Sequence, residues 1–160
     1  MVEVVPAKEW QGEMVSSTAI RLALSQGDPR KASQLLGRRF RVAGQVVKGD
    51  ERGRMLGFPT ANIAPDSEQA LPADGVYATR AFLGEAVYKA VTNIGIRPTF
   101  GGGQRLIEVY LLDFEGELYG QELEIEMVDQ LRGEIRFASV EELKAQIARD
   151  VEEARALLSS

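Results

Sequence analysis

The stretch QELEIEMV, residues 121–128, sets Leu123, Ile125 and Met127 against Glu122, Glu124 and Glu126 in strict alternation. Successive side chains of an extended chain leave on opposite faces, so this period of two puts three apolar groups on one side and three carboxylates on the other. The segment is a half-buried strand. Its neighbours repeat the pattern less cleanly. From Arg39 to Lys48, the apolar Phe40, Val42 and Val46 fall at even spacing, with Arg39, Arg41 and Gln45 on the other face. Runs at about 75–82 (GVYATRAF) and 86–94 (AVYKAVTNI) flank a tight Gly84-Glu85 turn, and 105–114 (RLIEVYLLDF) reads as a further strand. Short strands separated by turns bearing Gly and Pro point to a barrel or sandwich, because closing the sheet removes exposed edges.

Helical signals lie outside this β-rich centre. Ser17 and Thr18 are N-cap types ahead of Ile20, Leu22, Ala23 and Leu24, and Gly27 stops that helix. Asp28-Pro29 starts another, with Asp as cap and Pro in the first helical position, which runs to Gly37. Near the other end Ser139 and Glu142 form a capping box, followed by Leu143, Ile147, Val151, Ala154 and Leu158 on one face of a helix that packs on the barrel. The GGG at 101–103 reads as a mobile loop tip.

Composition bounds the chemistry. With 160 residues, 44% of them hydrophobic and 27% charged, the chain fits one ordinary globular domain with a short appendage. It holds neither cysteine nor histidine, which excludes thiolate nucleophiles, disulfides and zinc ribbons and leaves proton transfer to a carboxylate, Lys or Tyr. A bound metal should then be a hard cation held by oxygen. The net charge of -5 disfavours nucleic acid as a partner, since that binding relies on a basic face. The longest uncharged stretch, Met55 to Pro65, has 11 residues and two prolines, well short of the ~20 apolar residues of a membrane helix. The N-terminal MVEVVPAKEW lacks a basic region followed by an apolar one, so the expected location is the cytoplasm.

Three places carry candidate chemistry. Between Gly49 and Ile63 the chain reads GDERGRMLGFPTANI, with Gly49, Gly53 and Gly57 within nine residues. Glycines let backbone N–H groups approach phosphate oxygens, so this is either an anion-binding nest or an irregular turn between strands. Thr60 and Asn62 stand two apart in a segment held extended by Pro59, and their oxygens leave on the same side. They suit either a Mg²⁺ that keeps several waters or a hydrogen-bonded turn. Glu108 shares a strand face with Leu106, Tyr110 and Leu112, while Ile107, Val109 and Leu111 line the other. A carboxylate there either opens to solvent at an edge or faces a cavity, since an unpaired buried charge is costly.

These residues resemble the riboflavin kinase family. GRMLGFPTANI (53–63) is similar to its phosphate loop and PTAN motif, VTNIGIRPTF (91–100) to a further signature, IEVYLLDFEGELYG (107–120) to the strand carrying its catalytic glutamate, and LRGEIRFASVEEL (131–143) to its C-terminal flavin-side segment. LPADGVYA (71–78) is similar to the start of the family's next strand. The resemblance implies a mainly β fold, a six-stranded antiparallel Greek-key barrel with a C-terminal helix and a short helical N-terminal segment. It implies transfer of the γ-phosphate of ATP to riboflavin, giving FMN and ADP, with Mg²⁺. Glu108 would be the base, Thr60 and Asn62 would touch metal and phosphates, Gly49 and Gly53 would frame the phosphate loop, and Arg132 would help close the flavin site. Tyr110 stands where many relatives have His, a neighbour of the chemistry that bears on substrate positioning. Residues 1–36 resemble the tail of an FMN adenylyltransferase module, as found ahead of the kinase in bifunctional FAD synthetases, and 37–160 the kinase domain. The chain is then either a piece of such a longer protein, whose remainder would be its partner, or a descendant of one. Adenylyl transfer is not expected, because that module's nucleotide motif needs histidine. The competing expectation is a sensor or carrier that binds flavin without phosphorylating it.

Overall fold

The structure, a computed structural model, describes residues 8–10, 13–15, 17–47, 60–65, 71–99, 102–114, 116 and 118–159. Gly49 and Gly53, expected to frame the phosphate loop, lie outside these residues. Six strands close into an antiparallel barrel: β3 (Arg41–Val47), β4 (Ala61–Pro65), β5 (Gly75–Leu83), β6 (Ala86–Thr99), β7 (Gly102–Leu111) and β8 (Glu122–Arg132), in the order β3-β4-β7-β6-β5-β8. The non-sequential neighbours β4-β7 and β5-β8 make the Greek-key connection. A hairpin of β1 (Lys8–Trp10) and β2 (Glu13–Val15), which the alternation does not signal, precedes the helices α1 (Ser17–Ser25) and α2 (Pro29–Leu36), and α3 (Val140–Leu158) follows the barrel.

Side-chain alternation sorts the barrel into two cores. Val42, Ile63, Tyr77, Ile107, Val109 and Leu123 fill the inside, each at most 1% exposed. Two hydroxyls also lie buried, and Thr79 Oγ1 and Thr92 Oγ1 satisfy each other at 2.8 Å. On the outside, Val76, Ala78, Val91, Leu112 and Val128 meet Val151, Ala154 and Leu158 of α3. A third small cluster, Ala23, Leu24 and Ala32, lies between α1 and α2, and Phe40 links it to the inner core.

The boundaries of α2 and α3 fall where the sequence sets them, whereas Ser17 and Thr18, read as caps of α1, lie within its first turn. Asp28 caps α2 by accepting from the Lys31 N–H at 3.0 Å, and Gly37 ends it at φ +77°, a left-handed conformation that favours glycine. Ser139 caps α3 by accepting from the Glu142 N–H at 3.1 Å, while the Glu142 carboxylate reaches one residue further back than in a standard capping box, to the Ala138 N–H. The strand pattern departs in three places. Gly102 and Gly103 are no loop tip but pair with Thr99 and Pro98, because ladder bonds use only backbone groups and glycine can extend. β8 runs on to Arg132 through irregularities at Val76/Tyr77 and Ala78/Thr79, where the pairing slips by a residue and alternation fails as a guide. Glu126, expected on a solvated face, is 8% exposed and held by three guanidiniums: Arg41 at 2.9 Å, Arg39 at 3.3 Å and Arg80 at 3.6 Å.

Candidate active site

Residues directly opposite on paired strands share a face, so the register shows which side chains meet. Val47 pairs with Asn62, Asn62 with Glu108, Glu108 with Asn93, Asn93 with Val76, and Val76 with Arg132. One row thus crosses all six strands on the outer side of the barrel, since the flanking Ile63, Ile107, Val109 and Ile94 point into the inner core. Three of the residues expected at the site, Asn62, Glu108 and Arg132, lie in this row.

Asn62 is the most constrained of them. It is 6% exposed, and its Oδ1 is buried without a hydrogen-bond partner among the described residues. A buried acceptor left unpaired costs about 1–3 kcal/mol, so its place calls for a ligand or a donor from outside the described residues. Thr60 is half-buried just before β4, two positions from Asn62 and, by alternation, on its side of the chain. Glu108, half-buried, stands on the strand between Asn62 and Asn93. Asn93 is exposed, and the sequence reading had not singled it out. The signal was present in period two, which places Asn93 opposite the core residues Ile94 and Thr92, but alternation alone does not reveal that β6 lies beside β7.

Tyr110 packs at the edge of the outer cluster that α3 covers, away from Asn62 along β7. It sits close enough to Arg155 to favour the charged guanidinium, though the hydrogen-bonded Asp113 does more to raise the pKa of Arg155. Arg132 is tied down by α3. Its Nε lies 3.1 and 3.0 Å from the two oxygens of Asp150, its Nη2 2.9 Å from one of them, and its guanidinium 5.7 Å from the centre of the Phe137 ring. Asp150 is 2% exposed and also accepts from Gln146 at 2.9 Å. The segment after β8 then turns back over the row. A Cβ at Gly95 would stand 3.1 Å from Glu134 Oε1, so the Glu134 carboxylate lies over the bare backbone of β6 two residues from Asn93. Burial pushes the Glu134 carboxyl above the usual glutamate range, with Asp74 adding to the shift and Arg132 opposing it.

The donors suit a hard cation. Among the described residues no cluster of three or more His, Cys, Asp or Glu could encage a metal, whereas the unpartnered Asn62 Oδ1 is a neutral oxygen of the kind that completes a mostly hydrated or phosphate-bound ion. No helix among the described residues is long and apolar enough to cross a membrane.

The closed antiparallel barrel thus carries on its outer wall a candidate small-molecule site in which the Glu108 carboxylate stands beside the orphaned amide oxygen of Asn62. The family model for flavokinase, riboflavin kinase, matches residues 36–158. The chain is 45% identical over 150 residues to the bifunctional riboflavin kinase/FMN adenylyltransferase of Haemophilus influenzae, covering 92% of this chain and 48% of that protein. It is 49% identical over 140 residues to the protein of the same description from Escherichia coli strain K12, covering 87% and 44%. Among solved structures, one described as a macrolide-efflux protein from Streptococcus pneumoniae matches with a TM-score of 0.88 at 36% identity, over 94% of this chain and 50% of that one. The riboflavin kinase of Trypanosoma brucei matches with a TM-score of 0.53 at 22% identity, over 75% and 80%, a likeness of fold. The chain belongs to the riboflavin kinase family. It spans about half the length of the curated relatives it matches.

Proposed function

We propose that this chain transfers the γ-phosphate of ATP to the ribityl 5′-hydroxyl of riboflavin, producing FMN and ADP. The observation that carries this reading is the register of β4 with β7, which sets the Glu108 carboxylate beside Asn62, whose buried oxygen lacks a partner among the described residues. Glu108 accepts the proton of the 5′-hydroxyl as that oxygen bonds to the γ-phosphorus, the bond from the γ-phosphorus to the β,γ-bridging oxygen breaks, and ADP leaves with the electron pair. The carboxylate thereafter gives its proton to solvent. Thr60 and Asn62 would hold a divalent cation, Mg²⁺ in this proposal, which would supply charge neutralisation on the phosphates. Gly49 and Gly53, outside the described residues, are assigned to the phosphates because glycines would let backbone N–H groups approach the phosphate oxygens.

Arg132 is a positioning residue in this scheme. Clamped by Asp150, it fixes the start of the segment that carries Glu134 and Phe137 over the flavin side of the row. Tyr110 supports Glu108 by packing the same strand face against α3. Residues 37–160 form the kinase unit and 1–36 the end of a preceding module, with the remainder of a bifunctional enzyme as its partner in the cytoplasm. Adenylyl transfer is assigned to that remainder.

The test is to incubate the purified chain with riboflavin, ATP and Mg²⁺ and to separate the flavins by chromatography. FMN that forms only when nucleotide and cation are both present supports the kinase. Riboflavin bound but returned unchanged would make the chain a flavin sensor or carrier, and FAD as a product would overturn the assignment of adenylyl transfer.

A further inference from the structure

We propose that Asn93 recognises the ribityl chain of the acceptor, through hydrogen bonds from its carboxamide to the 4′-hydroxyl next to the reacting oxygen. The inference rests on the kinase reading and goes beyond it by assigning the residue that selects a polyhydroxylated acceptor. It follows from the order of the row: Val47, Asn62, Glu108, Asn93, Val76 and Arg132 on six successive strands of the barrel. If the cation and phosphates sit at Asn62 and the proton is taken at Glu108, in-line attack requires the acceptor to approach from the side away from the nucleotide. Along the row that side is β6, and the first side chain there is Asn93.

Spacing and chemistry agree with the placement. Adjacent strands lie about 4.8 Å apart, so a molecule that presents its terminal hydroxyl to Glu108 brings the next carbons of its chain over the neighbouring strand. Residues paired across strands have their Cβ atoms about 5 Å apart, within the span of one Asn and one Glu side chain sharing a diol. A carboxamide offers both a donor and an acceptor, as vicinal hydroxyls require. Exposure separates the two asparagines that flank Glu108. Asn62 is 6% exposed with an orphaned oxygen, whereas Asn93 is exposed and open to a ligand that arrives from solvent. Beyond Asn93 the row continues to Val76, which is 5% exposed beneath α3, and Gly95 lies under the Glu134 carboxylate, so Asn93 is the last exposed polar side chain of the row before α3 covers it.

The experiment measures steady-state kinetics of FMN formation by the wild-type chain, Asn93→Ala and the conservative Asn93→Thr, with riboflavin and with 4′-deoxyriboflavin. Asn93→Ala is expected to raise KM for riboflavin about three- to tenfold, the worth of a neutral hydrogen bond, with KM for ATP within twofold of wild type. Asn93→Thr should recover part of the loss. On 4′-deoxyriboflavin the wild type and Asn93→Ala should differ by less than twofold, because the contact is already gone. An equal loss on both acceptors, or a rise in KM for ATP matching that for riboflavin, overturns the assignment, since a merely structural residue would act so. If the wild type turns over riboflavin and Asn93→Ala does so equally well, the inference falls and the kinase reading stands. No FMN from the wild type would remove both.

Discussion

Removing the carboxylate of Asp150 should destabilise the whole barrel and not only the end of a helix. In Asp150→Ala, Arg132 loses contacts at 2.9, 3.0 and 3.1 Å, and Gln146 loses its acceptor at 2.9 Å. The two charged side chains are 16% and 3% exposed, so water replaces little of what is lost. Breaking one side of a buried pair costs about 3–5 kcal/mol. Arg132 keeps some solvent, the Gly133 carbonyl at 3.2 Å and the Phe137 ring, which brings the expected cost to about 2–4 kcal/mol. For a chain of this size each kcal/mol lowers Tm by about 2–4 °C, so the midpoint should fall by about 5–15 °C. Calorimetry of the purified variant measures the shift, and urea titration checks that the m-value is unchanged. The double variant Arg132→Met with Asp150→Leu should recover most of the loss, because replacing both partners with apolar groups leaves no orphaned charge. A Tm within about 1 °C of wild type for Asp150→Ala, or a double variant as damaged as the single one, refutes the clamp.

Other perturbations probe separate parts of the structure. Asn62→Ala removes an orphaned buried acceptor, so its Tm should stay close to wild type while the Mg²⁺ concentration for half-maximal FMN formation rises at least tenfold; a large loss of stability with unchanged cation dependence would make Asn62 structural. Thr60→Ala should weaken nucleotide and cation use yet leave riboflavin binding, followed by flavin fluorescence without ATP, within twofold. A Cβ at Gly44 would press on the Ala64 carbonyl oxygen and stand 2.6 Å from Ile63 Cγ2, so Gly44→Ala should part β3 from β4 and cost about 1–3 kcal/mol in urea unfolding. The Glu134 carboxyl is raised in the folded chain, chiefly by burial, so the folded state binds its proton more tightly than the unfolded one does. Its contribution to stability is present below the ordinary glutamate pKa of 4.5 and is lost as pH rises through the raised value. Glu134→Gln should flatten that part of the profile of Tm against pH, and an unaltered slope would place the titration elsewhere.

The inner wall of the barrel was legible in the sequence because one physical rule wrote it. Leu123, Ile125 and Met127, like Ile107 and Val109, alternate because one side of each strand is dry. The caps at Asp28 and Ser139 were legible for a similar reason, since each satisfies its helix's N–H groups locally. What alternation could not supply was the pairing of distant strands. The β4–β7 and β6–β7 registers set Asn62 and Asn93 on either side of Glu108, and nothing local to any of the three announces it. The outer wall misled in the other direction, because Glu126 reads as a solvent-facing carboxylate and is in fact enclosed by Arg39, Arg41 and Arg80 from two other parts of the chain. Arg132 was found through the family motif, whereas its partner Asp150, one polar residue in a helix of many, carries no sequence signal of its burial.

The central claim is that Glu108 takes the proton of an acceptor hydroxyl during phosphoryl transfer, and the most direct test compares kcat for FMN formation by the wild-type chain and Glu108→Gln at saturating ATP, Mg²⁺ and riboflavin. The amide keeps the shape of the side chain and its place between Asn62 and Asn93 but cannot accept the proton as the carboxylate does. A fall in kcat of about 10²–10⁴, with riboflavin binding within severalfold of wild type, is the predicted result. Turnover by Glu108→Gln within tenfold of wild type would contradict it.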